Sequence, residues 1–378
     1  MHSNLSHLTK AEIDTLMQRY YSGEAVGKLI KEYKLSVHVG ELYKLFPPEV
    51  CEDEFCKYCG EPLVQDRLSK TANTWRISAS DQYCPVCKHE PHNFKCRCKN
   101  CVEEELRLRA YRAEQIKKVY SKKRTPIKFS SLSFEEKVFL GALCRALCKE
   151  NLFEIEPYIG SNTVLAPTDD LCTLMYSQLS DAQAIAVSPS SSVDAFVFEA
   201  ENFPNTYYIY RATYYLNLVF PPNKQELFTE ILNPTYYSVD DRDNAVQLWK
   251  DIAIAECLEY LKYQLSRVRF EFTPGDKTRA TFEILLEDFS VSQIYGIIWK
   301  CVADASKLYL EKGLTKKHAA NSVISACERY AQRAKINGWN LTEYSRIKEL
   351  PQSVLSSFFF NRVLGIGEMG FKVPPTIV

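Results

Sequence analysis

Eight of the chain's 14 cysteines fall between Cys51 and Cys101, and no other feature limits so sharply what the stretch around them can become. Cys56 and Cys59 enclose Lys57 and Tyr58, with Gly60 directly after, and Cys84 and Cys87 enclose Pro85 and Val86. Each pair has the spacing of a knuckle, a tight turn whose backbone amides point at two thiolates. Two knuckles from separate hairpins supply the four tetrahedral ligands that zinc takes. Clustered pairs in a chain with no basic-then-apolar leader pattern are expected to bind metal in the cytoplasm rather than form disulfides. The remaining cysteines, from Cys144 to Cys327, stand among apolar neighbours, as small core residues do.

After the second knuckle come His89, His92, Cys96, Cys98 and Cys101. Three cysteines need a fourth ligand, and His89, His92 and Cys51 are the candidates, with His89 preferred. The expected sets are Cys56, Cys59, Cys84 and Cys87 for one ion, and His89, Cys96, Cys98 and Cys101 for a second. An interleaved pairing, as in RING-type cross-braced modules, fits the spacing as well as a sequential one. Thiolates dominate either set and saturate it, so two Zn2+ ions are expected in structural roles, because a catalytic zinc keeps a position open for water. The run His89, Glu90, Pro91, His92, Asn93 beside a knuckle is similar to treble-clef nucleases with an HNH motif, without that family's spaced distal histidine. It implies a nuclease as the one enzymatic alternative. No catalytic residue is otherwise expected, and the chain reads as a non-enzyme.

Upstream, residues 9–46 have the periodicity of three short helices. Ile13, Leu16, Met17 and Tyr20 share one face, and Val26, Leu29, Ile30 and Tyr33 another, with Ser22 as a cap and Gly23 as a break. A third helix is expected from Ser36, carrying Val39, Leu42 and Leu45 and ended by Pro47 and Pro48. The order Gly23, Val26, Leu29, Ile30, Tyr33, Leu35, Ser36, Val39, Leu42 resembles the helix-turn-helix of resolvases and transposases over about 40 residues. The resemblance implies a recognition helix starting at Ser36, with His38, Gly40, Glu41 and Lys44 turned outward and His38, Gly40 and Lys44 as the candidate contacts to duplex DNA. A three-helix unit that touches only protein explains the apolar pattern equally well.

Charge favours the first alternative modestly. Lysine plus arginine equals aspartate plus glutamate, 47 each, but residues 1–130 hold 23 basic and 17 acidic side chains, an excess of six, and the remainder is acidic by the same amount. A basic N-terminal third suits a polyanion. The helix expected after Val102 opens on Glu103, Glu104 and Glu105 and closes on the run Lys117, Lys118, Lys122, Lys123 and Arg124, the order a helix dipole favours. That run either adds phosphate contacts or is a solvated helix end.

The fold class expected is mainly α with small β elements: a helix-turn-helix over 1–50, a zinc-ribbon-like module over 51–101, a linker helix over 102–125, a winged-helix-like domain over 126–235 and a mainly helical domain over 236–378. Helices at about 133–149 and 168–179 precede strands at about 183–188, 194–200 and 206–220. The last strand carries Tyr207, Tyr208, Tyr210, Tyr214 and Tyr215, expected as a buried sheet face. Helices at about 241–266, 290–311 and 315–337 are interrupted by a hairpin at 267–286 that turns on Pro274, Gly275 and Asp276. Asn337 and Gly338 are a natural helix stop. No stretch approaches the roughly 20 apolar residues of a membrane helix. Two functions are compatible with these features. One is a bacterial-type DNA-binding regulator or accessory factor of a mobile-element or phage-defence locus, with its acidic C-terminal part binding a partner or a second copy. The other is an interaction scaffold inside a larger complex.

Overall fold

Thr9 opens the first helix. Its hydroxyl accepts from the Glu12 amide while the Glu12 carboxylate accepts from the Thr9 amide, which satisfies two amides otherwise orphaned at the start of α1, Lys10–Tyr21. The computed structural model describes residues 3–72, 81–122, 124–149, 153–199, 201–235 and 237–375. Lys123, within the expected basic run, lies outside them. The described chain is mainly helical with two small antiparallel sheets, and it divides into two compact units, residues 1–112 and 113–378.

In the first unit Ile13, Leu16 and Tyr20 of α1 join Leu29 of α2, Val26–Glu32, and Leu42 and Leu45 in a small apolar core. Gly23 breaks the chain as expected, at φ +98°. Ser22 is not the cap of the second helix. It ends α1, and Ala25 precedes α2 with no side-chain cap. The third helix also differs. It starts at Val39 rather than Ser36 and is a 3-10 segment, Val39–Leu45. Its buried residues, Leu42 and Leu45, are three apart, the period of a 3-10 turn, and Pro47 stops the winding before a wider helix can establish itself. Next come β1, Glu49–Phe55, β2, Pro62–Gln65, and β3, Gln82–Tyr83, in the order β1-β2-β3, with Glu49 opposite Gln65 and Val64 opposite Tyr83. The following helix, α3, Lys99–Tyr120, is exposed on every side over residues 103–111.

In the second unit a capping box of Ser133 and Glu136 starts α4, Phe134–Leu147, nine of whose 14 residues are buried. The strands β4, Glu154–Ile155, β5, Ile185–Val187, and β6, Tyr214–Leu216, form a sheet in the order β4-β6-β5, with α5, Asp169–Asp181, between the first two in sequence. The long strands expected at 194–200 and 206–220 are not formed among the described residues; Ala200 lies outside them. In their place are a 3-10 turn at Val193–Ala195, a single bridge between Phe196 and Tyr207, and the short β6. Pro204 has no amide to donate, and Asn205 turns the chain back on Asn202, so a ladder cannot continue there. The tyrosine face is accordingly mixed. Tyr214 is buried, Tyr207, Tyr210 and Tyr215 are half-buried, and Tyr208 is exposed.

The C-terminal part is built from α6, Lys224–Leu232, α7, Arg242–Arg267, α8, Asp276–Leu285, α9, Val291–Lys312, α10, Lys316–Ile336, α11, Val354–Phe358, and α12, Met369–Lys372. The hairpin expected at 267–286 is replaced by α8. Gly275 is its N-cap, Asp276 sits in the first turn where the dipole favours an acid, and Thr278, Thr281, Phe282 and Leu285 are buried at helical spacing. As expected, α10 stops at Asn337 and Gly338, the latter at φ +61°. Tyr260 of α7 stacks on Tyr295 of α9 with ring centroids 3.8 Å apart. The buried Glu256 accepts from Arg346 at 2.7 Å and Ser356 at 2.8 Å, so its charge enters the core already paired. No helix among the described residues is long and apolar enough to cross a membrane.

Candidate metal centre

The turn between β1 and β2 is the first knuckle. The Cys56 amide donates to the Glu61 carbonyl at 2.8 Å, and the Gly60 amide donates back to the Cys56 carbonyl at 2.9 Å. The second knuckle, after β3, repeats the pattern, with the Cys84 amide donating to the His89 carbonyl at 2.8 Å and the Lys88 amide to the Cys84 carbonyl at 3.0 Å. Both turns need a left-handed residue at the same place. Gly60 takes it at φ +71° and Lys88 at φ +59°.

These turns bring Cys56, Cys59, Cys84 and Cys87 together, and His89, Cys96, Cys98 and Cys101 form a second group. Within each, the ligand atoms all lie within 4.8 Å of one another. The grouping is sequential rather than interleaved. In the first group Cys56 Sγ is 3.5 Å from Cys87 Sγ, and Cys59 Sγ is 3.3 Å from Cys84 Sγ and 3.9 Å from Cys87 Sγ. In the second, His89 Nδ1 is 3.7 Å from Cys96 Sγ, 3.9 Å from Cys98 Sγ and 3.3 Å from Cys101 Sγ. A disulfide would need about 2.05 Å. These spacings instead approach the edge of a tetrahedron around a thiolate-bound ion, about 3.8 Å for a centre about 2.3 Å from each sulfur. Each group can therefore hold one metal ion with four ligands and no open position.

The environment favours the ligand forms. Burial, with Lys57 adding to it, lowers the pKa of the buried His89, which favours the neutral ring that a metal takes. Burial pushes the Cys84 thiol up, but the Cys87 amide and neighbouring thiols outweigh it and bring Cys84 down to about 7. Cys59, beside Cys84, is pushed up to about 12. Four thiols this close cannot all ionise without a cation among them. The Cys101 amide faces Cys98 Sγ at 3.5 Å at the N-terminal end of α3, where the helix dipole favours a thiolate.

The other two candidate ligands stand outside both groups. His92 Nε2 lies 3.8 Å from Glu54, and Cys51 Sγ accepts from Gln82 Nε2 at 3.5 Å. Sequence reasoning did not find the link between the groups. Tyr58, inside the first knuckle, packs its ring edge-on to His89 with centroids 4.8 Å apart, and its hydroxyl lies 3.4 Å from Cys101 Sγ and bonds to Glu104. Lys57 reaches the same Glu104 at 3.0 Å. The signal for it was a charged and an aromatic residue between two ligands, which spacing rules ignore.

The residues proposed from the helix-turn-helix resemblance lie on the 3-10 segment and its cap. His38 Nδ1 accepts from the Gly40 amide at 3.3 Å, and Lys44 pairs with Glu41 at 2.8 Å. The three-residue turn places His38, Glu41 and Lys44 in one line, all largely exposed. No family model, curated protein or solved structure matches the chain.

Proposed function

We propose that the chain is a non-enzymatic DNA-binding protein, a regulator or accessory factor of a bacterial mobile-element or phage-defence locus, in which two structural zinc ions hold residues 51–101 together. The observation that carries the reading is the completeness of both ligand groups. Seven thiolates and one imidazole favour zinc over harder cations, and with four protein ligands apiece neither ion offers a site for water or substrate. What such ions do is fix a fold, and the fold they fix carries the basic third of the chain. The line of His38 and Lys44, with Gly40 allowing close approach, supplies the contact to duplex DNA, and the exposed Arg107 of α3 supplies a phosphate contact. The Glu41–Lys44 pair moves the expected role of Lys44 from base reading toward a phosphate contact made at the cost of that pair. The order helix, strand, helix, strand, strand over 134–216, with the last strand between the other two, supports a winged-helix-like middle segment in a partner-binding or self-associating C-terminal part.

A second reading, a scaffold, is favoured by apolar side chains standing in solvent around the metal module: Phe94 fully exposed, and Leu106, Leu108 and Tyr111 on α3. Titration of a labelled duplex with the full-length, zinc-loaded protein separates the two. Binding that weakens steeply with salt, and weakens further in Lys44→Ala with a shallower salt slope, supports the DNA reading. No binding at low salt with zinc intact leaves the scaffold.

A further inference from the structure

The second unit contains a cleft that neither the zinc groups nor the duplex-binding surface uses. It has a volume of about 410 Å³, within the range of small-molecule sites, and lies between the end of α3, the segment around Asn205 and the strands β5 and β6. Its lining combines two cations, Lys122 and Arg124, with three tyrosines, Tyr120, Tyr207 and Tyr215, and no acidic side chain. Neither cation has an ion-pair partner among the described residues. Two uncompensated positive charges at the mouth of an aromatic cleft attract an anion, and Arg124 presents the planar fork that matches phosphate oxygens.

The tyrosines are held in place. The Tyr120 hydroxyl donates to the Pro204 carbonyl at 2.8 Å, and its ring meets Tyr207 edge-on with centroids 6.4 Å apart. Phe196 backs both rings at 5.6 and 6.1 Å. Tyr215 of β6 is paired with Ala186 of β5, so the two share one face of the sheet, and the small alanine leaves the tyrosine ring open on that side. Ser180 and Asn205 add neutral groups able to bond to the edge of a ring. Fixed aromatic faces beside unpaired cations, with neutral hydrogen-bonding groups between, are the chemistry that takes a base and its phosphate together.

We propose that this cleft binds a nucleotide unit, its base against the tyrosine rings and its phosphate on Lys122 and Arg124. The unit can be a free nucleotide or a residue of a single strand. The inference is independent of the duplex reading, which concerns the first unit.

Equilibrium dialysis of full-length protein with AMP, adenosine and inorganic phosphate, and anisotropy with a labelled twelve-residue oligo-dT, test it. AMP or the oligonucleotide saturates, and adenosine and phosphate alone bind at least about tenfold more weakly, because each keeps only half the recognition. The double variant Lys122→Ala/Arg124→Ala, at exposed positions, and Tyr215→Leu, which keeps apolar bulk in the sheet, each lose about tenfold while duplex binding stays unchanged in Tyr215→Leu. AMP displacing the oligonucleotide completely, with the tighter affinity its own, assigns the free nucleotide; the oligonucleotide binding more tightly assigns the strand. No saturable binding of either, affinity unmoved in both variants, or a poly-glutamate peptide competing as well as AMP overturns the proposal.

Discussion

The His89 carbonyl accepts the Cys84 amide at 2.8 Å while the His89 ring nitrogen lies 3.3 Å from Cys101 Sγ, so one residue closes the knuckle of the first ligand group and stands among the candidate ligands of the second. Tyr58 makes the reciprocal link, from inside the first knuckle to Cys101 and Glu104. These contacts tie the two groups together, so losses at one are expected to be felt at the other.

Elemental analysis of the purified chain is expected to find two zinc ions. His92→Ala and Cys51→Ser keep both, and His89→Ala keeps one. Cys59→Ser loses the first ion and weakens the second, with hydrogen-exchange protection lost across residues 51–101, since structural zinc contributes on the order of 10 kcal/mol of apparent folding free energy. An ion lost in His92→Ala would reassign the fourth ligand.

The two left-handed positions give a paired test. A Cβ on Gly60 meets no atom within 4 Å, so Gly60→Ala pays only backbone strain, about 1–2 kcal/mol. Lys88 already carries that strain at φ +59°, and Lys88→Gly relieves it against an entropic cost of about 0.5–1 kcal/mol. Chelator-competition midpoints are expected to fall for Gly60→Ala and to hold or rise for Lys88→Gly. A clear fall for Lys88→Gly would mean that its side chain, not its backbone, serves the turn.

Gly141 sits mid-helix in α4, where alanine is normally the better residue by about 1 kcal/mol. Here an added Cβ overlaps the buried Phe358 ring and comes within 3.0 Å of the Ile231 carbonyl. Gly141→Ala is expected to lower stability by about 1–3 kcal/mol, partly restored by Phe358→Leu. Thermal melts showing Gly141→Ala more stable than the parent would contradict this packing.

Burial, and then the neighbouring Glu256, push the Glu259 carboxyl up to about 7 from an ordinary 4.5, against the pull of Arg346. The folded state therefore binds the proton more tightly than the unfolded one. The stability this contributes is complete below pH 4.5 and is lost as pH rises through about 7. Glu259→Gln is expected to raise the melting temperature above neutral pH and to match the parent near pH 4.5. A constant difference across that range would place the effect elsewhere.

The metal module was the most legible part of the chain, because two-residue spacing between cysteines is a local constraint that tertiary context rarely overrides. The choice of His89 over His92 and Cys51 was legible only as a preference, since it turns on which group the second knuckle aims inward. The long helices α7, α9 and α10 and the stop at Asn337 announced themselves by period and cap. Short elements did not. Val39, Leu42 and Leu45 fit a 3-10 turn as well as an α-helix, and Pro274, Gly275 and Asp276 can begin a helix as readily as turn a hairpin. The alternating tyrosines from Tyr207 to Tyr215 suggested a strand, but Pro204 and Asn205 upstream withhold the ladder partner.

Residues 103–111 of α3 are all exposed and add no buried side chain to either core. An isolated helical stretch of that length is marginal in water, because closing its first turn fixes several dihedrals for one hydrogen bond. Cys98 and Cys101 sit at that first turn. A metal ion gripping both would fix it before any propagation begins, so such an ion would act as a nucleator for a helix it does not otherwise touch, and the reach of the second ligand group would extend well beyond its own coordination sphere.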